Sequence, residues 1–147
     1  MREYLFHGKR VDNGEWVEGY YVYDESEQVA EKLTAYIYHL NAHPCGPSLI
    51  PFEVVPESVG QYTGLTDKNN KKIFEGDIID ASGTWWDACG PAGHDSPIIE
   101  VKWSDEHCGF DPFANYDCDC GVYIEAYGVE VIGNIHDNPE LLEGGAE

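Results

Sequence analysis

The sequence predicts a mainly β fold, α+β at most, built from antiparallel sheets, and three observations predict it. Short apolar and aromatic runs alternate with clusters of Gly, Pro, Asn and Asp, with no βαβ rhythm and no longer internal repeat. Asn13-Gly14 stands between two such runs, Tyr4-Leu5-Phe6-His7 and Glu15 to Val22, which is the signal of an N-terminal β-hairpin. Asn138-Pro139-Glu140 reads as the start of a short C-terminal helix, with Asn as cap, Pro at the first position and Glu at the positive end of the dipole. The 147 residues are expected to form one domain, 1–147, ending in a flexible tail at 143–147.

The elements follow in order. Asn13-Gly14 predicts a two-residue loop in which both residues take positive φ. In the returning strand Trp16, Glu18 and Tyr20 share one face, and Val17, Gly19 and Tyr21 the other. Between Asp24 and Leu40 two periods compete. Val29, Leu33, Ile37 and Leu40 fall at helical spacing, whereas Thr34-Ala35-Tyr36-Ile37-Tyr38 is rich in strand formers. The expectation is a solvated turn at Asp24 to Glu31, then a strand from Lys32 to Leu40. His43-Pro44-Cys45-Gly46-Pro47 reads as a loop, and Leu49 to Val55 as a strand whose Pro51 marks a sheet edge or a bulge.

The densest stretch is 58–80. Gln61-Tyr62-Thr63 ends a strand, Gly64 permits a sharp bend, and Asp67-Lys68-Asn69-Asn70 is turn chemistry. Ile73-Phe74 resumes the apolar pattern, Gly76 breaks it, and Asp77 to Asp80 starts a new strand. Two excursions follow, 81–97 and 104–120, separated by a strand at Ile98 to Trp103. Val122 to Tyr127 and Glu130 to Ile135 read as the last strands. With Asp77 to Asp80 and Ile98 to Trp103, they suit a small SH3-like barrel.

Charge narrows the function classes. The net charge is −20, of which residues 1–72 carry −4 (7 basic, 11 acidic) and residues 73–147 carry −16 (Lys102 alone against 17 acidic). Such a surface repels phosphate backbones and anionic lipid, so direct nucleic-acid or membrane binding is not expected. It keeps the chain soluble, and it also suits a DNA-mimicking surface that occupies a basic site on a host protein. The sequence has neither a membrane-spanning run nor an N-terminal signal core, which points to the cytoplasm.

Chemistry is sparse. Cys45, Cys89, Cys108, Cys118 and Cys120 are an odd set, read as free thiols in a reducing compartment. The alternative groups His107, Cys108, Cys118 and Cys120, with His94, around a metal, but Cys118-x-Cys120 is tighter than the usual Cys-x-x-Cys pair. No metal or other cofactor is expected. The sequence contains no nucleophile elbow, phosphate-cradling loop or dinucleotide fingerprint. Glu75 and Asp77, with His136, are the one arrangement that could do acid–base work, and Gly76-Asp77 equally shapes a turn with Asp77 bonded to nearby amides. His7, His39 and His136 read as packed structural residues.

Val59-Gly60-Gln61-Tyr62-Thr63-Gly64-Leu65, Asp67-Lys68-Asn69 and Ile73-Phe74-Glu75-Gly76-Asp77-Ile78-Ile79 resemble the central signature of the YopX family, small proteins of phages and prophages. The resemblance extends to Phe6-His7-Gly8-Lys9, to Gly14-Glu15-Trp16-Val17-Glu18-Gly19-Tyr20, and to the run from Val131-Ile132-Gly133-Asn134 to Leu142. It implies a structural role for Gly60, Gln61, Tyr62, Thr63, Gly64, Glu75, Gly76, Asp77, Gly133 and Asn134. It implies no catalytic group, because the family's biochemical role is unknown. Asn70 stands where the family tends to have Gly, and Asn is the next-best residue at positive φ. The functional expectation is a non-enzymatic module that binds a host or phage protein and self-associates, with Trp85 and Trp86 as candidate anchors.

Overall fold

The N-terminal hairpin forms. β1 (Phe6–Lys9) and β2 (Trp16–Asp24) pair antiparallel, with Phe6 opposite Gly19 and Lys9 opposite Trp16. The computed structural model describes residues 3–24, 34–84, 96–114 and 124–143. The connection is longer than the two residues Asn13-Gly14 predicted. Arg10 N–H bonds to the Glu15 carbonyl at 2.8 Å and Gly14 N–H to the Arg10 carbonyl at 3.0 Å. Of the pair, Gly14 alone takes positive φ. Asn13 uses its side chain instead, Oδ1 accepting the Glu15 N–H at 2.9 Å. Such local bonds compete with the tight backbone turn.

β3 (Thr34–His43) and β4 (Gly46–Val54) pair in unbroken register from Ala35 opposite Val54 to His43 opposite Gly46. Strand preference prevails over the helical spacing because alternation buries Ala35 and Ile37 completely. The turn expected before β3 falls in 25–33, outside the described residues. The loop expected at 43–47 shrinks to Pro44-Cys45, since Gly46 and Pro47 already belong to β4.

Two compact units divide the chain, Met1–Tyr62 and Thr63–Glu147. In the first, the strand order is β4-β3-β2-β1, followed by the opening residues of β5 (Gly60–Thr66), whose remainder from Thr63 belongs to the second unit. β4 lies at the edge, as Pro51 implied. β2 pairs with β1 through Gly19 and with β3 from Tyr20 onward. The handover needs a residue without a side chain, because a Cβ on Gly19 would lie 2.2 Å from the Tyr38 carbonyl oxygen. Ala35, Ile37 and Val54 form this unit's core with Phe6, Val17, Tyr21 and Val59 packed on them. Burying an aliphatic side chain of the size of Ile37 or Val54 is worth roughly 1.5–3 kcal/mol.

In the second unit β6 (Lys72–Phe74) lies beside β5, and the Thr63 hydroxyl donates to the Ile73 carbonyl at 2.9 Å. β7 (Asp77–Asp80) is central in a three-stranded sheet, flanked by β8 (Ile98–Glu100) and β11 (Glu130–Asn134). β9 (Lys102–Ser104) and β10 (Gly109–Asp111) form a separate hairpin, and α1 (Glu140–Glu143) is the short helix expected near the C-terminus. Ile73, Ile79, Ala81, Ile99, Val101, Phe110, Ile124 and Val129 make the core.

Three expectations change here. The strand at Ile98 to Trp103 divides at Val101 into β8 and β9, where the Val101 N–H bonds to the Asp77 carbonyl at the start of β7 and its carbonyl accepts the N–H of Gly76, in the turn before that strand. Ala126–Gly128 is a 3₁₀ turn, not part of a strand, with Gly128 packed so closely on Thr84 that a Cβ would lie 2.1 Å from its methyl group. The sheets also remain open, and the small SH3-like barrel does not close among the described residues. The two excursions do more than connect. Ala81 and Phe110 lie in the core, and 104–120 contains β10.

Candidate functional site

Two places in the structure gather chemistry, the corner at Glu75-Gly76-Asp77 and the outer face of the β2–β3–β4 sheet. The corner begins with Gly76, whose φ of +90° lets the chain turn sharply between β6 and β7. Its N–H donates to the Val101 carbonyl at 2.7 Å, and its carbonyl accepts the Ile135 N–H at 2.9 Å. Asn134 stands opposite Asp77 in the β11–β7 pair. The Asn134 Oδ1 accepts the N–H groups of His136 and Asp137 at 3.0 and 2.9 Å, which carries the exposed His136 over the corner. The imidazole Nε2 comes to 3.9 Å from where a Gly76 Cβ would be. The corner thus brings Gly76, Asp77, Asn134 and His136 together, with Glu75 next to them in the chain. Gly133 completes it, since a Cβ there would lie 2.5 Å from the Asn138 side-chain oxygen.

The two carboxylates differ in surroundings. Asp77 is 6% exposed. Burial pushes its carboxyl up to about 7, although the Phe74 N–H donates to it at 2.8 Å and Lys71 also favours the charged form. Asp67 adds to the rise. Glu75 is half-buried, and burial raises its carboxyl against a bond from the Trp103 amide, with Glu100 adding repulsion. Asp77 thus exchanges a proton near neutrality, but it does so from inside a backbone turn.

Asp67 does more than shape its turn. Its Oδ1 accepts the Asn69 and Lys71 N–H groups at 2.8 and 2.9 Å, and its Oδ2 accepts the Val131 N–H at 3.0 Å. Burial alone would raise this carboxyl, but the three amide bonds, with Lys71 nearby, outweigh it and hold the group below the usual range. A residue at a turn gives no sign in sequence of a partner on β11.

Other candidates are placed as follows. Gly60 and Gln61 pair with His7 and Phe6, Tyr62 is buried, and Gly64 and Asn70 take positive φ. His7 is buried against Trp16, while His39 is exposed with Nδ1 2.8 Å from the Glu18 carbonyl. His107 Nδ1 lies 3.0 Å from Asp111 and 3.2 Å from the Ser104 hydroxyl. Cys45 and Cys108 are free and exposed. Trp85, Trp86, Cys89, His94, Cys118 and Cys120 lie outside the described residues. Among the described residues no three His, Cys, Asp or Glu are arranged to hold a metal. No helix among them is long and apolar enough to cross a membrane. A depression of about 270 Å³ in the first unit is lined by Val11, Asp12, Pro51, Phe52 and Glu53, none of them a proposed site residue.

The outer sheet face was missed. Directly opposed residues share a face, so Tyr20, Tyr38 and Pro51 line up across β2, β3 and β4, as do Leu40 and Leu49. Tyr20, Val22, Leu40 and Leu49 are each about half exposed. The signal was in the sequence, because no Asp, Glu, Lys or Arg occurs between Lys32 and Glu53. In so charged a chain that gap is informative.

The comparisons agree with the architecture. The YopX protein family matches residues 6–143, nearly the whole chain. The chain belongs to the YopX family. The crystal structure of protein EF1440 from Enterococcus faecalis is similar, with 24% identity and a TM-score of 0.50 over 97% of this chain and 99% of that one. At that identity the likeness concerns the fold, and it spans both compact units of the YopX chain. No curated protein matches this sequence.

Proposed function

We propose that this YopX-family chain is a non-enzymatic protein-interaction module of phage or prophage origin, acting in the bacterial cytoplasm. The observation that supports it is the exposed outer face of β3 and β4, on a stretch with no charged residue between Lys32 and Glu53. Contiguous apolar surface on a soluble chain marks a contact site, and Leu40, Leu49 and Tyr20 lie exposed together on one face. The acidic second half adds a DNA-mimic-type surface for a basic site on a host protein, supported by the −16 charge of residues 73–147.

A photo-crosslinking residue at Leu49 tests the reading in cells, with the same residue at exposed Glu57 as control. Specific protein adducts from Leu49 support it, and equal or absent adducts at the two positions overturn it. The DNA-mimic element has its own test. Deleting 104–120 would remove Phe110 from the core, so neutralising Asp105 and Glu106 is the appropriate change. Loss of a captured basic host protein supports mimicry, and unchanged capture opposes it.

The second reading is a small enzyme using Glu75 and Asp77 near His136, favoured by the raised carboxyls at that corner. Against it, acid–base work requires reach to a substrate, and the Asp77 carboxylate holds the Phe74 amide while nearly inaccessible.

A further inference from the structure

We infer that the occupant of the β2–β3–β4 outer face is a second copy of this chain. The inference rests on the interaction reading above and names its partner. Three observations carry it: where the side chains point, what the free edge lacks, and where charge is absent.

β3 and β4 alternate strictly. Ala35, Ile37 and Val54 face the core, so Tyr36, Tyr38, Leu40 and their opposites on β4 face away from it. β2 accompanies β3 only as far as Tyr38. Beyond that point β3 and β4 continue as a two-stranded arm, and every residue from His39 to Leu49 is exposed. A two-stranded ribbon has little stability of its own, so an arm of this length gains from a covering partner.

The arm's outer edge does not favour strand addition. Val11 N–H bonds to the Glu53 carbonyl and Val55 N–H to the Lys9 carbonyl, so odd-numbered residues on this side direct their main-chain groups away from β3. Pro47 and Pro51 fall in that outward set, and neither has an N–H to give. The β4 edge is therefore blunted, as edges exposed to solvent commonly are. On the other side His39 is bonded to the Glu18 carbonyl where the arm leaves β2. Recognition is left to the face.

Charge selects the occupant. Self-association of a chain with net charge −20 must keep carboxylates from meeting their own copies across a two-fold axis. The arm from His39 to Leu49 allows it, because it carries no charged residue and the acidic residues of these three strands are Glu18, Asp24 and Glu53, all outside it. Those charges are screened over a Debye length of about 8 Å at physiological salt. A basic partner would instead be recognised by carboxylates, which the arm lacks.

Sedimentation velocity of the intact chain at low and high salt tests the inference, using wild type and Leu40→Glu/Leu49→Glu. Both leucines are more than half exposed, so the substitutions spare the core, and an unchanged far-ultraviolet spectrum verifies this. Wild type is expected to self-associate more tightly as salt rises, the opposite of binding to a basic partner. The double substitution is expected to weaken association about a hundredfold by placing like charges in the contact. A wild type that stays monomeric at both salts overturns the inference, as does an oligomer that the substitutions leave intact. If wild type is monomeric but Leu49 still crosslinks to another protein in cells, the second copy is wrong and the interaction module stands. If it neither associates nor crosslinks, both fail.

Discussion

At the scale of single residues, Asp67 and Asp77 divide two roles that look alike in sequence. Each is a buried Asp beside a turn, but Asp67 gathers three amides whereas Asp77 is bonded by the Phe74 amide. Asp77 has a folded value of about 7 against an ordinary 3.8. A carboxyl raised in this way stabilises the fold fully below the ordinary value, and loses that contribution as pH rises through the folded one. Wild type should therefore lose up to about 4 kcal/mol relative to Asp77→Asn between those limits, read by urea unfolding across the range. Parallel profiles for the two proteins would refute it. Asp67 has the opposite sign, since its lowered carboxyl stabilises above the ordinary value and ceases to as pH falls through the folded one. Asp67→Ala leaves three amides without their acceptor and should cost about 3 kcal/mol or more. Urea midpoints near neutral pH check this, and a loss below about 1 kcal/mol would show the bonds to be dispensable.

At the scale of elements, the β2–β3 handover is the least forgiving position in the first unit. Gly19→Ala would drive a Cβ into the backbone oxygen of Tyr38, which no rotamer change relieves. Loss of a cooperative thermal transition is the expected outcome, and a near-native melt would contradict it. The edge of β4 offers the converse experiment. Replacing Pro47 and Pro51 by Val restores two outward N–H groups, so larger aggregates by light scattering are expected without loss of strand content. Much of this was legible. Strand formers at 34–38, Pro51 at the edge, positive φ at Asn70 and the Asn-Pro-Glu helix start were each stated by local chemistry. The break at Val101 was not, because the acceptor of its N–H is the carbonyl of Asp77, a residue distant in sequence. The same holds for Asp67 and Val131, whose bond spans 64 positions. Composition drew attention to the tryptophans and the acidic loops, whereas the outer face was marked by charges that are missing.

At the scale of the whole molecule, the distribution of charge decides what the chain can approach. Phosphate backbones are held by Lys and Arg, which release condensed counterions on binding, so affinity falls steeply as salt rises. Only Lys102 is basic after residue 72. In the first half the cations are partly committed. Arg10 is paired with Asp12 at 2.6 Å and lies over the Phe52 ring, and Lys68 is paired with Glu130 at 3.0 Å. A nucleic acid would have to displace those partners and face the remaining carboxylates at once. Fluorescence anisotropy with labelled duplex and single-stranded DNA at physiological salt should therefore show no binding. Titration that saturates in the micromolar range and weakens with added salt would mean that a cluster such as Lys71-Lys72 is offered to phosphate, and would remove the physical basis for DNA mimicry as well. The same titration in rising salt separates the two surfaces. Contacts made by the acidic half fade as ions accumulate, whereas those made by the uncharged arm of β3 and β4 persist or strengthen.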